Sequence, residues 1–283
     1  MAIALGGIFA VSIIASMMRT KVELPFGERI GVIEVKGPLE ESQEIVRQLK
    51  EFREDHSIRG VLLRIDSPGG GVAVSQEIYE EVVQVKAQKP IVVSMGGVAA
   101  SGGYYIASAA TKIVANPGTI TGSIGAIIEF FNVQELAKKW GVELKVVKSG
   151  SQKDMGNPFR EMTSEEKATL QGMVYDIQNQ FINAVAQNRG LEVQKVRAIA
   201  DGRVFTGEKA KELGLVDELG GLETAMKILG ELTGIKGEPK RVYPKKELSF
   251  SLRDLFRQET WIGWLSQSLN HLSEIKVQYR YNP

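Results

Sequence analysis

Short apolar runs alternate with amphipathic stretches along most of this chain. Residues 29–35 alternate apolar and polar side chains and are rich in β-branched residues, which predicts a strand. Residues 41–55 instead place apolar side chains at helical spacing, and a helical pattern also closes the series at 222–233. Repeated strand–helix–strand units require right-handed crossovers and a largely parallel sheet. The pattern therefore predicts an α/β fold.

The elements between these ends are predicted from the same patterns. We place one α/β domain at 21–235 and a more polar C-terminal extension at 236–283, with an amphipathic stretch at 252–272. Three roles stay open for the extreme C-terminus: a disordered tail, a membrane-surface segment, or a peptide that reaches an active site and is self-processed. Strands are predicted at 60–65, 91–95, 112–115, 125–131 and 143–148, and helices at 73–87, 104–110, 133–140, 164–188, 192–199 and 207–213.

The first residues form an uncharged apolar run from residue 2 to residue 18, which ends at Arg19 and Lys21. A helix of this length spans roughly 25 Å, at the short end for a bilayer crossing. The alternatives are a buried core helix and a cleaved signal peptide. No polar face interrupts the run and the cleavage site is weak, so we predict a transmembrane signal anchor at 1–20.

The charges around this run bear on its orientation. Because the basic residues follow the run, the positive-inside rule favours a cytoplasmic body. We expect instead an extracytoplasmic body at the cell membrane, and with it a short basic extension that precedes this sequence.

The composition excludes several kinds of chemistry but says little about the fold. Of 283 residues, 43% are hydrophobic, and 35 basic residues nearly balance 34 acidic ones, which argues against a general nucleic-acid-binding protein. The absence of cysteine excludes disulfides, thiolate metal sites and cysteine nucleophiles. Only His56 and His271 occur, so no metal site is expected. No phosphate-binding lysine motif follows the glycines at 69–71, and we expect no cofactor.

Two Gly-rich turns, 68–71 and 100–103, follow predicted strands. In open α/β sheets, sites form at the carboxyl ends of the strands. Ser101 precedes a helix of small residues whose first N–H groups are free donors, as an oxyanion hole requires. The alternative is that Ser101 is only a helix N-cap and the glycines only permit tight turns. From the residues alone, the two interpretations are about equally supported.

A serine nucleophile needs a base, and neither histidine is well placed to be one. His56 lies in a polar connection before the second strand, and His271 lies in the C-terminal extension. A desolvated lysine is an alternative, because burial favours its neutral amine. Lys153 lies in a loop of small residues at 148–158, after a predicted strand, where it can enter a crevice. Lysines are numerous here, so the position alone makes Lys153 only a candidate.

Six short stretches of sequence, in a fixed order along the chain, carry a more specific signal. They are DSPGGG at 66–71, AASGGYY at 99–105, TGSIG at 121–125, GSQKD at 150–154, GRVFTG at 202–207 and LGLVD at 213–217. The chain resembles the signal peptide peptidase A family of bacterial membrane serine peptidases, in the crotonase-like and Clp protease superfamily. Its length resembles that of the short, single-repeat members. The resemblance implies a fold of repeated ββα units with a mostly parallel sheet.

The resemblance also implies roles for five residues. Ser101 would be the nucleophile, Lys153 the general base, and Ser123 the residue that orients the Lys153 amine, rather than an ordinary turn serine. The N–H groups of Gly70 and Gly102 would form the oxyanion hole. The implied enzyme is a membrane-bound serine endopeptidase that degrades remnant signal peptides and other apolar or misfolded segments.

The resemblance implies partners as well. Subunits would form a homo-oligomeric ring in which neighbours shape each site. Substrate would bind as an added strand, and the apolar run at 72–74 is the edge that we expect to receive it.

Two other functions stay open. A crotonase-type acyl-CoA enzyme shares the fold and the paired oxyanion donors, but it needs an adenine pocket and does not use a Ser-Lys pair. A catalytically inactive membrane scaffold is the second, and the presence of both Ser101 and Lys153 disfavours it.

Overall fold

A computed structural model of the chain describes residues 29–245 and 277–280. Strands and helices alternate through most of this length. The strands are β1 (Arg29–Lys36), β2 (Ile58–Ser67), β3 (Gly69–Gly71), β4 (Ile91–Ala100), β5 (Lys112–Ala115), β6 (Ile120–Gly122), β7 (Ile127–Ile128), β8 (Val204–Thr206), β9 (Glu218–Leu219), β10 (Lys240–Val242) and β11 (Val277–Arg280). The helices are α1 (Gln43–Glu54), α2 (Val72–Gln88), α3 (Gly102–Ser108), α4 (Gln134–Lys139), α5 (Ser164–Arg189), α6 (Val193–Arg197), α7 (Gly207–Glu212) and α8 (Leu222–Thr233).

The main sheet is built around β1, β2 and β4. Its strands follow the order β10-β1-β2-β4-β5-β9, and every neighbouring pair on this path is parallel. Parallel neighbours need a crossover, which α1 supplies between β1 and β2 and α2 supplies between β2 and β4. Val61, Leu62 and Leu63 are consecutive and fully buried, as expected for a strand covered on both faces. The predicted α/β fold with a mostly parallel sheet is confirmed.

Helices cover both faces of this sheet. On one face, α1, α2, α3 and the second half of α5 enclose the larger core, in which Tyr105 lies against Tyr79 and Phe181 with ring centroids 4.7 and 5.0 Å apart. On the other face, α8 packs Met226 and Leu229 against the inward side chains of the central strands. Each large apolar side chain buried in this way contributes about 1.5–3 kcal/mol, so the two cores fix the sheet.

Strand β4 changes its pairing partner along its length. Val92 to Ser94 pair with β5, whereas Val98 to Ala100 pair with β6. The change falls at Gly96 and Gly97, and a Cβ at Gly96 would lie 2.6 Å from Cγ of Asp66. The second half of β4 therefore leaves β5 and carries its carboxyl end to a separate edge.

The structure corrects several predicted elements. The helix predicted at 222–233 has those bounds, and the one predicted at 164–188 ends one residue later. The strand predicted at 143–148 is wrong, because within the described chain these residues pair with no strand and Val147 is fully exposed. The strand predicted at 125–131 shortens to Ile127–Ile128. The strands β6, β8, β9 and β10 are too short to show a periodic pattern, and the sequence did not predict them.

The predicted anchor at 1–20 and the amphipathic stretch at 252–272 lie outside the described residues. Among the residues that are described, no helix is both long enough and apolar enough to cross a bilayer.

Asp217 joins the end of α5 to the main sheet. Its carboxylate accepts hydrogen bonds from Arg189 Nη2 at 2.7 Å, from Lys112 Nζ at 3.2 Å and from the Ile113 N–H at 2.8 Å. Burial raises the pKa of Asp217, but the Arg189 charge and these hydrogen bonds outweigh it and hold the pKa below its ordinary value. The Arg189 side chain is only 7% exposed, so each charge depends on the other. This network accounts for the aspartate that ends the stretch 213–217.

Replacing Asp217 with asparagine is expected to lower the free energy of unfolding by about 3 kcal/mol at neutral pH, because the buried Arg189 loses its carboxylate. The depressed pKa means that ionised Asp217 stabilises the fold above its unfolded pKa, near 3.8, and that this contribution is lost as pH falls through the folded pKa. Urea unfolding at neutral pH and in acid measures both effects. The exposed Asp176 on α5 provides the control, as Asp176→Asn. Equal acid sensitivity in Asp217→Asn and the unaltered chain would contradict this assignment.

Candidate active site

Ser101 and Ser123 are brought side by side by strand register. Strands β4 and β6 are parallel, with Ala99 opposite Thr121 and Ala100 opposite Gly122. The residue that follows each strand is a serine, so the register places Ser101 opposite Ser123 at the carboxyl edge of the sheet. The Ser101 N–H donates to the Gly122 carbonyl at 2.8 Å. Both serines are buried, and both line the same cavity.

These two serines share an unusual backbone conformation. Ser101 has φ 53° and Ser123 has φ 52°, and no other non-glycine residue of the described chain has a positive φ. Such a conformation costs roughly 1–3 kcal/mol at each residue and persists only where the surroundings enforce it. At Ser101 it forms the sharp turn between β4 and α3. Strain at the two residues that the sequence singled out points to a functional site.

The two predicted oxyanion donors also meet here. A Cβ at Gly102 would lie 3.3 Å from the amide nitrogen of Gly70 and 2.4 Å from Ser75 Oγ. The backbone of α3 therefore approaches β3 as closely as only glycine permits. Leu39 N donates to the Gly69 carbonyl and Gly71 N donates to the Leu39 carbonyl, both at 2.9 Å. Because successive strand residues face opposite edges, the Gly70 N–H faces away from Leu39.

Other residues, for which the sequence predicted no role, hold the backbone in place at this edge of the sheet. The Ser67 hydroxyl accepts from Gly69 N at 3.1 Å and donates to the Gly37 carbonyl at 2.7 Å, which holds the glycine strand in place. The Ser123 N–H donates to the Arg203 carbonyl at 2.9 Å. Phe205 packs under Gly122, where a Cβ would lie 2.6 Å from its ring. The stretches 66–71 and 202–207 therefore shape the backbone around the serines.

The cavity beside Ser101 has a volume of about 380 Å³. Its walls come from the β6–β7 connection, from the middle of α5 and from the turn before β8. The sequence did not identify the α5 residues, because a valine, a tyrosine and a glutamine on a partly exposed helix carry no distinctive signal. The lining residues are Ser101, Ser123, Gly125, Ala126, Ile127, Val174, Tyr175, Gln178, Asp201 and Gly202.

A second sheet crosses the mouth of this site. Its order is β3-β11-β7, and β11 is antiparallel to β3 and to β7. Tyr279 lies opposite Gly70, and Gln278 lies opposite both Gly71 and Ile127. Strand β11 therefore lies between β3, the glycine strand, and β7, which forms part of the cavity wall. The prediction that residues 72–74 supply the edge that receives substrate is wrong, because these residues form the first turn of α2.

Lys153 lies apart from this cavity. Its side chain is exposed and is not among the lining residues. The neighbouring Gln152 side chain bonds to Glu165 and Thr169 near the start of α5, at 2.8 and 3.2 Å. Val174, the cavity residue on α5 nearest to Thr169, lies roughly 7 Å from it along the helix axis. A single chain therefore brings together Ser101, Ser123, Gly70 and Gly102 but not Lys153. His56 lies at the amino end of β2, away from this edge, as predicted.

Lys153 belongs to a projecting segment, residues 131–173, which we call the arm. The arm consists of α4, an irregular stretch, the Lys153 turn and the exposed first half of α5. Large apolar side chains are unusually exposed on it, among them Phe131 at 68% and Trp140 at 79%. Several exposed apolar side chains on one segment are typical of a contact surface for another molecule when they form one patch.

Comparisons with known proteins fit this geometry. The family described as Peptidase family S49 matches residues 83–236, and the family described as Clp protease matches residues 24–119. A protein of Synechocystis sp. named "Putative protease" is 44% identical over 217 residues, which cover 76% of this chain and 77% of that protein.

Two further relatives are matched over less of their own length. One from Methanocaldococcus jannaschii, also named "Putative protease", is 40% identical over 67% of this chain and 61% of its own. One from Enterococcus faecium, named "Putative signal peptide peptidase", is 42% identical over 65% of this chain and 54% of its own.

Together, the fold, the strained serine beside the glycine backbones of β3 and α3, and these matches define a serine peptidase. The chain belongs to peptidase family S49, and the resemblance seen in the sequence is confirmed.

Proposed function

We propose that this protein is a membrane-bound serine endopeptidase that uses a Ser-Lys dyad, with Ser101 as nucleophile and Lys153 as general base. The observation that carries the proposal is the strained Ser101 facing a cavity beside the backbone donors of Gly70 and Gly102. Because Lys153 does not line the cavity of its own chain, we infer that it serves Ser101 of a neighbouring subunit.

The reaction is acyl transfer to water. The neutral Lys153 amine takes the proton of Ser101 Oγ as that oxygen attacks the peptide carbonyl carbon. The Gly70 and Gly102 N–H groups donate to the oxyanion, and each such donor is worth about 10²–10³ in rate. The C–N bond then breaks and the proton passes to the leaving amine. Water attacks the acyl ester with Lys153 again as base, and Ser101 Oγ regains its proton. Ser123 orients the amine.

Substrate binds as an extended strand. The support for this mode is β11, which pairs on one side with β3 and on the other with β7. A peptide in that gap passes Gly70 and presents a side chain to the cavity, whose walls include Ile127 and Val174. Main-chain pairing tolerates many sequences, and an apolar pocket favours apolar side chains. Remnant signal peptides and misfolded apolar segments meet both requirements.

The subunits assemble as a homo-oligomeric ring. Two observations support assembly: the exposed apolar side chains of the arm, and the placement of Lys153 on that arm away from its own Ser101. A contact that repeats head to tail closes into a ring and completes every site in the same way. Contact with a neighbour also removes water from the amine, which favours its neutral form.

The body lies on the extracytoplasmic side of the cell membrane. The uncharged run at 2–18 supports a single anchor at 1–20. The extracytoplasmic orientation rests on the family resemblance, because Arg19 and Lys21 by themselves favour the opposite orientation. The extracytoplasmic placement brings the peptidase to the surface from which cleaved signal peptides are released.

A serine-directed fluorophosphonate is expected to label the assembled chain faster as pH rises, because a lysine must lose its proton before it can act as a base. Labelling rates across the neutral and alkaline range measure this dependence. Ser101→Ala is expected to abolish labelling and Lys153→Ala to slow it by several orders of magnitude. A labelling rate that peaks in acid, or labelling that survives in Ser101→Ala, would contradict the dyad.

A further inference from the structure

The turn that carries Lys153 is anchored by one arginine between two carboxylates. Arg160 donates to the Asp154 carboxylate from Nε at 3.0 Å and from Nη2 at 2.8 Å, which is a two-point contact. Its Nη2 also donates to the Asp154 backbone carbonyl at 3.1 Å. A planar guanidinium fixes the orientation of a carboxylate that it contacts at two points. Arg160 therefore sets the position of the residue directly after Lys153.

The other side of the Arg160 guanidinium is fixed to the long helix. Nη1 donates to Glu166 Oε2 at 2.8 Å, and Nη2 contacts Glu166 Oε1. Glu166 is buried, and it completes a capping box in which the Thr163 N–H donates to its carboxylate at 2.9 Å. The start of α5 thus provides a rigid base for the arginine.

The residue before Lys153 is tied to the same helix. The Gln152 side chain donates to Glu165 and accepts from Thr169, as described above. Lys153 N–H donates to the Gly150 carbonyl at 3.2 Å, which closes the turn itself. Within the described part of the chain, however, the Lys153 amine has no hydrogen bond and no ion pair. The backbone on both sides of Lys153 is fixed while its amine is left uncommitted.

We propose that Arg160 is a positioning residue for the peptidase reaction: by clamping Asp154 to Glu166, it holds the Lys153 turn in place and presents the amine to Ser101 of the adjoining subunit. This inference rests on the proposed function. A lysine used only for surface charge needs no such support, and nothing in the resemblance assigns a role to Arg160, Asp154 or Glu166. The clamp explains how a general base on a projecting segment is held in a fixed orientation.

The clamp does not titrate where the enzyme is expected to work. The hydrogen bond from Arg160 lowers the pKa of Glu166 to about 2. Hydrogen bonds from Arg160 and then Lys148 lower the pKa of Asp154 as well. Lys148 Nζ lies 2.6 Å from Asp154 Oδ1 and is the other cation that faces this cluster. Because both carboxylates stay ionised at neutral and alkaline pH, a change in the pH profile of a variant reports on the lysine base.

The test measures fluorophosphonate labelling of Ser101 against pH in assembled protein. Arg160→Ala is expected to slow labelling roughly 10²-fold, as a base displaced by about 1 Å does. The alkaline rise should also move to higher pH, since a loosely held amine stays in water. Arg160→Lys should keep part of the rate, and added guanidinium ion should restore part of the rate of Arg160→Ala.

A second variant guards against a folding defect. Asp154→Asn weakens the clamp on the side of the turn but leaves Arg160, Glu166 and the capping box in place, and it should show the same shift in pH profile. Arg47→Ala is the matched control, because Arg47 also bridges two carboxylates, those of Glu44 and Glu51, on the distant helix α1. Sedimentation and thermal unfolding establish that each variant is assembled and folded.

The outcomes separate the two proposals. If the unaltered chain does not label, or if Lys153→Ala labels as fast as it does, the proposed dyad fails. If the dyad behaves as expected but Arg160→Ala and Asp154→Asn keep the rate and pH profile of the unaltered chain, only the clamp fails. A slower rate that tracks the folded fraction, with no change in pH profile and no rescue by guanidinium, would assign Arg160 a purely structural role and would also overturn the proposal.

Discussion

Mixed assemblies of Ser101→Ala and Lys153→Ala chains are expected to regain peptidase activity that neither variant has alone. Each substitution removes one member of a catalytic unit and is expected to lower the rate by on the order of 10⁴ or more. A mixed assembly contains contacts at which an intact Ser101 meets an intact Lys153 from another chain. With equal amounts and random assembly in a ring, about a quarter of the contacts have this arrangement. The measurement is fluorophosphonate labelling after the two variants are dissociated, mixed and reassembled.

Two controls make this result decisive. Mixing either variant with the double variant Ser101→Ala/Lys153→Ala should restore nothing, since one intact partner is always missing. Reassembly must be verified by sedimentation for every mixture. Mixed rings that assemble but stay as inactive as the separate variants would show that Lys153 does not act across a subunit contact. The position of Lys153 outside the Ser101 cavity would then need another explanation.

Removal of residues 277–283 is expected to raise the labelling rate by on the order of tenfold, because a tethered strand competes with substrate at an effective concentration near millimolar. Strand β11 occupies the gap between β3 and β7 that the proposed substrate needs. A substrate strand and β11 cannot pair with Gly70 at the same time. The full chain and the chain ending at residue 276 are compared in the same assay, with their assembly state measured in parallel.

Competition by β11 has a second, independent test. A synthetic peptide with the sequence of residues 277–283 should slow labelling of the shortened chain in a concentration-dependent way. Tyr279→Pro in the full chain removes one backbone N–H opposite Gly70 and should act in the same direction as truncation, with a smaller effect. Equal labelling rates in full and shortened chains would mean that β11 does not hinder access to the site.

The residues on the serine side of the site can be identified from the sequence, but the strand pairing that assembles them cannot. The stretches 99–105 and 121–125 each contain a serine, and the structure places each serine directly after a strand, β4 or β6. Parallel pairing at a constant offset is then sufficient to bring Ser101 opposite Ser123. Glycine at 70 and 102 marks places where backbones come too close for a side chain, and the structure has both contacts. Signals of this kind are local, because they depend on backbone geometry within a few residues.

The position of Lys153 could not be predicted in the same way. The stretch 150–154 indicates the lysine, but whether its amine meets Ser101 of its own chain depends on how far the arm projects. That distance is set by the rigid first half of α5 and by the Arg160 contacts, which no pattern of apolar residues encodes.

The arm explains the wrong strand prediction. Residues 142–146 alternate apolar and charged side chains, as a half-buried strand would, yet Val142, Leu144 and Val147 lie exposed in the single chain. Apolar periodicity indicates that a surface becomes buried, but it does not indicate whether the same chain or another molecule buries it. The sequence pattern of the arm is therefore compatible with burial against another copy.

The positive φ angles of Ser101 and Ser123 have a consequence for how this sequence can change. Glycine would adopt either conformation without the steric cost, so replacing these serines would relieve strain while removing the hydroxyl groups. Selection for thermal resistance alone would thus favour glycine at the two positions where the proposed mechanism requires serine. Stability and turnover are opposed at these residues, and a library screened only for heat tolerance should accumulate well-folded, inactive chains.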